Sequence, residues 1–181
     1  PCQALTIPHS PQFSWGLMFG ETNSDGTPLT AANLALRARY DTLAEVFQTK
    51  GSAECAPGVD TVDGQCGFET IFPACSPDES AVRPQTGQHS SRCITRAGML
   101  RNVLKKGLQD TPKWGFNPYK LGMAGGTNGH NGTPGDTQEG NWRGHGGTSD
   151  ATPAQRLGLE RSLAARFGGI ASAAPNPGGL T

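Results

Sequence analysis

Excess charge of either sign is missing from this chain. Lys plus Arg and Asp plus Glu number 15 each, so the formal net charge is zero. That excludes a basic footprint for nucleic acid and a basic stripe for a membrane surface. Long apolar runs are missing as well, and none reaches the roughly 20 residues of a transmembrane helix. No Cys-x-x-Cys spacing occurs among Cys2, Cys55, Cys66, Cys75 and Cys93, which excludes zinc-ribbon and dithiol redox motifs. Only 34% of residues are hydrophobic. The core is therefore expected to be thin, although 181 residues suffice for one domain. The opening Pro1-Cys2-Gln3-Ala4-Leu5-Thr6-Ile7 has no initiator Met, charged leader or cleavage signal. The chain is accordingly read as a fragment whose amino-terminal half is missing.

What is plentiful is glycine and proline, 26 and 14 residues. They divide the chain into short elements joined by long loops. Gln3 to Pro8 reads as a buried strand ending at His9, and Ser14 to Gly20 as an apolar loop. Thr30 is placed to cap a helix from Ala31 to about Arg39. Leu43 to Gln48 reads as a strand, and residues 51–90 as mostly loop with a short apolar piece at Phe68 to Phe72. A second helix is expected from Ile94 to Leu108, broken by Pro112 and Gly115. A third strand is expected from Tyr119 to Ala124, followed by a glycine-rich stretch from Gly125 to Asp150. Thr152 can cap a last helix from Pro153 to Phe167, with proline at its first position. Residues 168–181 read as a loose Gly/Ala/Pro-rich tail. This alternation predicts a parallel α/β arrangement.

The cysteines admit two readings. Cys55 and Cys66 flank one loop, and Cys75 and Cys93 flank another. Two disulfides pinning these loops suit a secreted or periplasmic protein. The alternative is a set of unrelated buried thiols. Cys2 is left over on the first reading.

Two histidines carry the candidate chemistry. His9 ends the first expected strand, where α/β folds place ligands. His130 lies in Leu121-Gly122-Met123-Ala124-Gly125-Gly126-Thr127-Asn128-Gly129-His130-Asn131-Gly132, two positions after Asn128. Such spacing past a strand end lets both side chains face one ion. Imidazole suits zinc, manganese or iron, whereas an Asn carbonyl is a weaker, neutral ligand. The competing reading is a flexible glycine-rich loop that happens to contain a histidine. Glu45 and Gln48 fall on opposite faces of their strand, and a strand-end hydrogen bond is the preferred role for Glu45. Glu54 is a candidate site-lining acid. Arg143 and His145 form a candidate contact for an anionic group. For His145 an exposed loop position is the alternative, as it is for His89.

Several motifs in common order resemble a known family. They are Ile7-Pro8-His9-Ser10, Gly16-Leu17-Met18-Phe19, Glu45-Val46-Phe47-Gln48, Lys50-Gly51-Ser52-Ala53-Glu54-Cys55, Cys66-Gly67-Phe68-Glu69, Asn117-Pro118-Tyr119-Lys120-Leu121-Gly122 and residues 126–135. The chain resembles the family named domain of unknown function 3604, a relative of the polymerase-and-histidinol-phosphatase superfamily of metal-dependent hydrolases. The resemblance implies that residues 1–167 form the carboxyl-terminal part of a distorted α/β barrel. It implies metal ligands at His9 and His130, a divalent zinc, manganese or iron ion, and a small-molecule phosphoester substrate. Asn128 stands where the family usually has Asp, and Gly129 where it has Thr or Ser. Asn keeps the shape of Asp but loses its charge and its capacity to take a proton. The chain is therefore expected to be either a metal-dependent hydrolase, with Glu54, Glu69 or Glu139 in compensation, or a binding module that lost the chemistry.

Overall fold

The computed structural model describes residues 3–48, 51–59, 61–67, 70, 72–76, 93–126, 128 and 153–156. The chain divides into two compact units, Pro1–Val46 with Ser52–Ala124, and Phe47–Gly51 with Gly125–Thr181.

The first helix, α1, spans Ala31–Tyr40. Its start is set by a capping box. Asn33 N–H donates to Thr30 Oγ1 at 3.2 Å, and Thr30 N–H donates back to Asn33 Oδ1 at 3.0 Å. Two amide donors that the helix cannot use are thereby satisfied. Strand β1, Leu43–Gln48, forms with the bounds expected from the sequence, with Ala44 and Gln48 buried. Strand β2 is only Gly51–Ser52, and strand β3 is Gly122–Gly125. They form a mixed three-stranded sheet in the order β2-β1-β3. Gly122 N–H donates to Thr42 O and Gly126 N–H to Phe47 O, so β1 and β3 run in the same direction.

Helix α2 spans Leu100–Trp114. No side chain caps its start. Its first amides are satisfied instead by the chain after β2: Leu100 N–H donates to Ala53 O at 2.9 Å and Arg101 N–H to Glu54 O at 3.0 Å. Leu100, Val103 and Gly107 form its buried face. One core cluster comprises Phe19, Ala44, Ala53, Leu100, Val103 and Tyr119, with Val46 and Leu121 packed against it. Tyr119 ties this core to the loop after His9. Its hydroxyl donates to Phe19 O at 2.8 Å, and the two rings meet edge to face at 5.9 Å. A second cluster holds Ala56, Val59, Ile94 and Met99. Two disulfides, Cys55–Cys66 and Cys75–Cys93, flank it. A short third helix, α3, spans Pro153–Arg156.

The barrel expected from the resemblance is overturned. A barrel closes because its first and last strands pair, whereas the described strands form an open sheet with β2 and β3 at its edges. The expected first strand is missing from that sheet. Residues 3–7 are exposed, and their ladder is one parallel bridge between Thr6 and Asp41. With no face to bury, the segment cannot extend the sheet. The expected helix at Ile94 starts six residues later, because Ile94 is drawn into a bridge with Ala74 beside the Cys75–Cys93 disulfide. Pro112 does not break α2. It sits in the last turn, on an exposed face where the orphaned Leu108 carbonyl can be hydrated. Gly115 does end the helix, in the left-handed conformation at φ 78°. Tyr119 lies in a turn and not in β3. Most of the expected last helix, and the tail, lie outside the described residues.

An ion cluster joins α2 to the chain before α1. Lys106 contacts both Glu21 and Asp110, and Lys113 contacts Glu21 at 3.1 Å. The hydrogen bond from Lys106 holds the Glu21 carboxyl below its ordinary value of 4.5, against the opposing effect of burial. A depressed carboxylate stabilises the fold above its unfolded value, and that contribution is lost as pH falls through the folded value. Glu21→Gln is therefore expected to lower the melting temperature near neutrality. The gap from wild type should close below about pH 4.5 in thermal scans across the acid range. A gap that stays constant with pH would exclude this linkage.

Candidate functional site

The first unit places His9 against β1. Glu45 meets three consecutive residues of the entering segment. Its backbone N–H donates to Pro8 O at 3.1 Å. Its carboxylate Oε2 accepts from Ser10 N–H at 2.8 Å and lies 2.9 Å from His9 Nδ1. Nε2 is the ring nitrogen away from that contact, on a side chain that is 56% exposed. Ligating histidines characteristically set their other ring nitrogen against a carboxylate or carbonyl.

Ser10 holds the turn in an uncommon conformation. It is left-handed, φ 51° and ψ 54°, and buried. A serine in this region costs about 1–3 kcal/mol, which surrounding contacts must offset. The charged hydrogen bond to Glu45 is one such contact. The loop beyond is fixed by close packing. Pro11–Phe13 and Leu17–Phe19 form short 3-10 turns. Between them Gly16, at φ 80°, presses on Ala97, where an added Cβ would come within 2.3 Å of the Ala97 Cβ.

The second unit pairs Asn128 with Gln48. Asn128 Nδ2 donates to Gln48 Oε1 at 3.0 Å, and Gln48 is 1% exposed. Asn128 is left-handed at φ 49°, a region that Asn tolerates better than most residues. With its amide nitrogen committed, Oδ1 is the atom that remains as an acceptor.

Glu54 is committed elsewhere in the first unit. Arg101 Nη2 and Nε both donate to its Oε1, at 2.7 and 2.9 Å, while Arg101 Nη1 reaches Asp63 Oδ2 at 2.7 Å. This cluster spans the loop closed by Cys55–Cys66. The Gln65 N–H first, and the Arg101 guanidinium second, hold the Asp63 carboxyl below its ordinary range. His130, Arg143 and His145 lie outside the described residues, as do Glu69 and Glu139. Among the described residues, no group of three or more His, Cys, Asp and Glu side chains could hold a metal ion. The roles of Ser10 and Arg101 carry no sequence signal. Each depends on a partner tens of residues away.

Among the described residues, no helix is long and apolar enough to cross a membrane. No curated protein and no solved structure matches the chain. The family model described as protein of unknown function (DUF3604) matches residues 1–181, and the chain belongs to that family.

Proposed function

We propose that the protein is a metal-dependent hydrolase that activates water on a divalent ion, with His9 as a ligand through Nε2. The observation that carries this reading is the commitment of His9 Nδ1 to Glu45 at 2.9 Å on a half-exposed side chain. That geometry fits a ligating imidazole and suits zinc, manganese or iron. The resemblance adds His130, and Asn128 through its carbonyl, as further ligands. A bound divalent ion would lower the pKa of water and stabilise negative charge developing on the attacked centre. The residues of the chain would supply orientation: Glu45 holds His9, and Gln48 holds Asn128. A phosphoester is the proposed substrate class, and kinship with the polymerase-and-histidinol-phosphatase hydrolases belongs to the same proposal. The two disulfides support a periplasmic or secreted location, since such bonds persist in oxidising compartments.

One observation favours a second reading, a binding module that lost its chemistry. Asn128 is neutral, and its amide donates to a buried Gln48. An Asp at this position has no N–H to donate and would keep the contact only by accepting from the Gln48 amide turned over.

Metal content separates the two. The purified protein, reconstituted with zinc, manganese or iron, is expected to hold tight metal. His9→Ala is expected to weaken it by more than the about 10–100-fold that outer-shell changes cost. Absence of bound metal with all three ions, by elemental analysis and titration calorimetry, would sink the hydrolase reading. A sharp gain in affinity on Asn128→Asp would identify the degenerate module.

A further inference from the structure

We propose that the Cys75–Cys93 disulfide is a redox-sensitive brace for residues 11–19, the loop that follows His9 and Ser10, and that its reduction releases this loop while the rest of the first unit stays folded. The proposal goes beyond the function proposed above and does not depend on metal binding.

Residues 11–19 have little to hold them from within. Pro11–Phe13 and Leu17–Phe19 are single 3-10 turns, and turns this short do not persist alone. Between them Trp15 and Gly16 are both left-handed, at φ 55° and 80°, which costs energy at the bulky tryptophan. The conformation is therefore set by what the loop packs against, and two walls supply it. The first is residues 95–98. A Cβ added to Gly98 would come within 2.8 Å of Pro11 O, and one added to Gly16 within 2.3 Å of Ala97 Cβ. Each side thus contributes a glycine to the tightest approach. The second wall is Phe72, whose ring lies 5.3 Å from that of Phe13.

Cys75–Cys93 joins the two walls. Phe72 lies shortly before Cys75, and residues 95–98 follow shortly after Cys93. One parallel bridge, Ala74 to Ile94, runs beside the disulfide. Its backbone bonds are Cys75 N–H to Ile94 O at 2.9 Å and Ile94 N–H to Pro73 O at 2.8 Å. So short a pairing is marginal without support, and the covalent bond keeps the walls in register. A bridge with a sequence separation of 18 shifts an opening equilibrium by about 100-fold. The Cys55–Cys66 loop serves a different neighbour. It meets α2, through Glu54 O on the Arg101 amide and through the Glu54 and Asp63 carboxylates on the Arg101 guanidinium.

The two bridges also differ in access. Cys55, Cys66 and Cys93 are buried, whereas Cys75 is partly exposed. Access to sulfur governs the rate of thiol–disulfide exchange. One thiolate of a small dithiol attacks Cys75 Sγ, the disulfide breaks, and Cys93 leaves as a thiolate that takes up a proton. The second thiol of the reagent then displaces Cys75, which takes up the other proton, and the reagent closes into its own disulfide. Two electrons pass from the dithiol to the protein.

The test is amide hydrogen exchange of the full chain. The probes are Phe13, Ser14, Leu17 and Phe19, whose N–H groups all donate within residues 10–19. Cys75→Ala/Cys93→Ala is expected to speed their exchange by about 100-fold. Cys55→Ala/Cys66→Ala, a bridge of comparable span at a separation of 11, is expected to have a much smaller effect on them. Equal acceleration by both pairs overturns the proposal, because the loss is then global, and so does no acceleration by the first pair. Phe72→Ala keeps both disulfides, and it is expected to speed the same amides even if the cysteine variants fail to fold. An unchanged loop in Phe72→Ala overturns the brace. Wild type titrated with a small dithiol and then alkylated is expected to carry label on Cys75 and Cys93 before Cys55 and Cys66. The reverse order of labelling overturns the redox step.

Discussion

Replacing Cys55, Cys66, Cys75 and Cys93 together by alanine is expected to lower stability by about 6 kcal/mol. The estimate follows from chain entropy. The two bridges close segments with sequence separations of 11 and 18, and loops of this length contribute about 3 kcal/mol each. Domains have only about 5–15 kcal/mol of net stability in total. The loss is therefore expected to bring the chain close to its unfolding midpoint in water. The effect should be large because the apolar cluster that the bridges flank is small. Their cluster consists of Ala56, Val59, Ile94 and Met99, with Phe72 and Ala74 beside it. Cys55 adjoins Ala56 and Cys93 adjoins Ile94, so the bridges share a core and their effects are expected to couple. Urea titrations of wild type, of each paired variant and of the fourfold variant measure both the costs and the coupling. A fourfold variant within about 1 kcal/mol of wild type would show that the native packing alone carries this region.

Gly107→Ala is expected to destabilise the fold by about 1–3 kcal/mol, although the same change inside an exposed helix would stabilise it by about 1 kcal/mol. The sign is reversed by what faces the missing Cβ. An added Cβ at position 107 would lie 2.2 Å from Asn117 Oδ1 and 3.1 Å from Tyr119 Cβ. Asn117 is not free to retreat, since its Oδ1 accepts from Tyr119 N–H at 2.8 Å. Tyr119 is 1% exposed and bonded to Phe19 O. The methyl must therefore push α2 away from the chain that leads into β3. Thermal unfolding of Gly107→Ala beside Leu108→Ala, an exposed neighbour, is the controlled comparison. A rise in melting temperature for Gly107→Ala would show that this contact is looser than its geometry.

Elements defined by local chemistry were the legible ones. The Thr30 cap, the start of α1, β1 in full and the end of α2 at Gly115 all rest on residues within a few positions of one another. The start of α2 was not legible. A helical pattern from Ile94 is genuine in the sequence, but a bridge to Ala74 and backbone capping by Ala53 and Glu54 move the boundary. The strand expected at Gln3 to Pro8 failed for a related reason. Apolar residues at Leu5 and Ile7 suggest burial, yet both remain about half exposed, at 54% and 45%. Closure of a sheet is decided by which edges meet, and no periodicity encodes that. At the candidate site, His9 was expected at the end of a buried strand, and that strand does not form. The carboxylate beside His9 could only be weighed, and the left-handed Ser10 could not be foreseen, because serine carries no preference that marks it.

The grip of Glu45 on three successive residues ties His9 to strand register. A slip of β1 by one residue would replace Glu45 with Ala44 or Val46 and turn the carboxylate to the opposite face of the sheet. His9 would then lose its partner even if its own loop were unchanged. The setting of the imidazole is thus inherited from the alignment of a strand more than thirty residues away in the chain. Substitutions that loosen the pairing of β1 should disturb His9 before they unfold anything else.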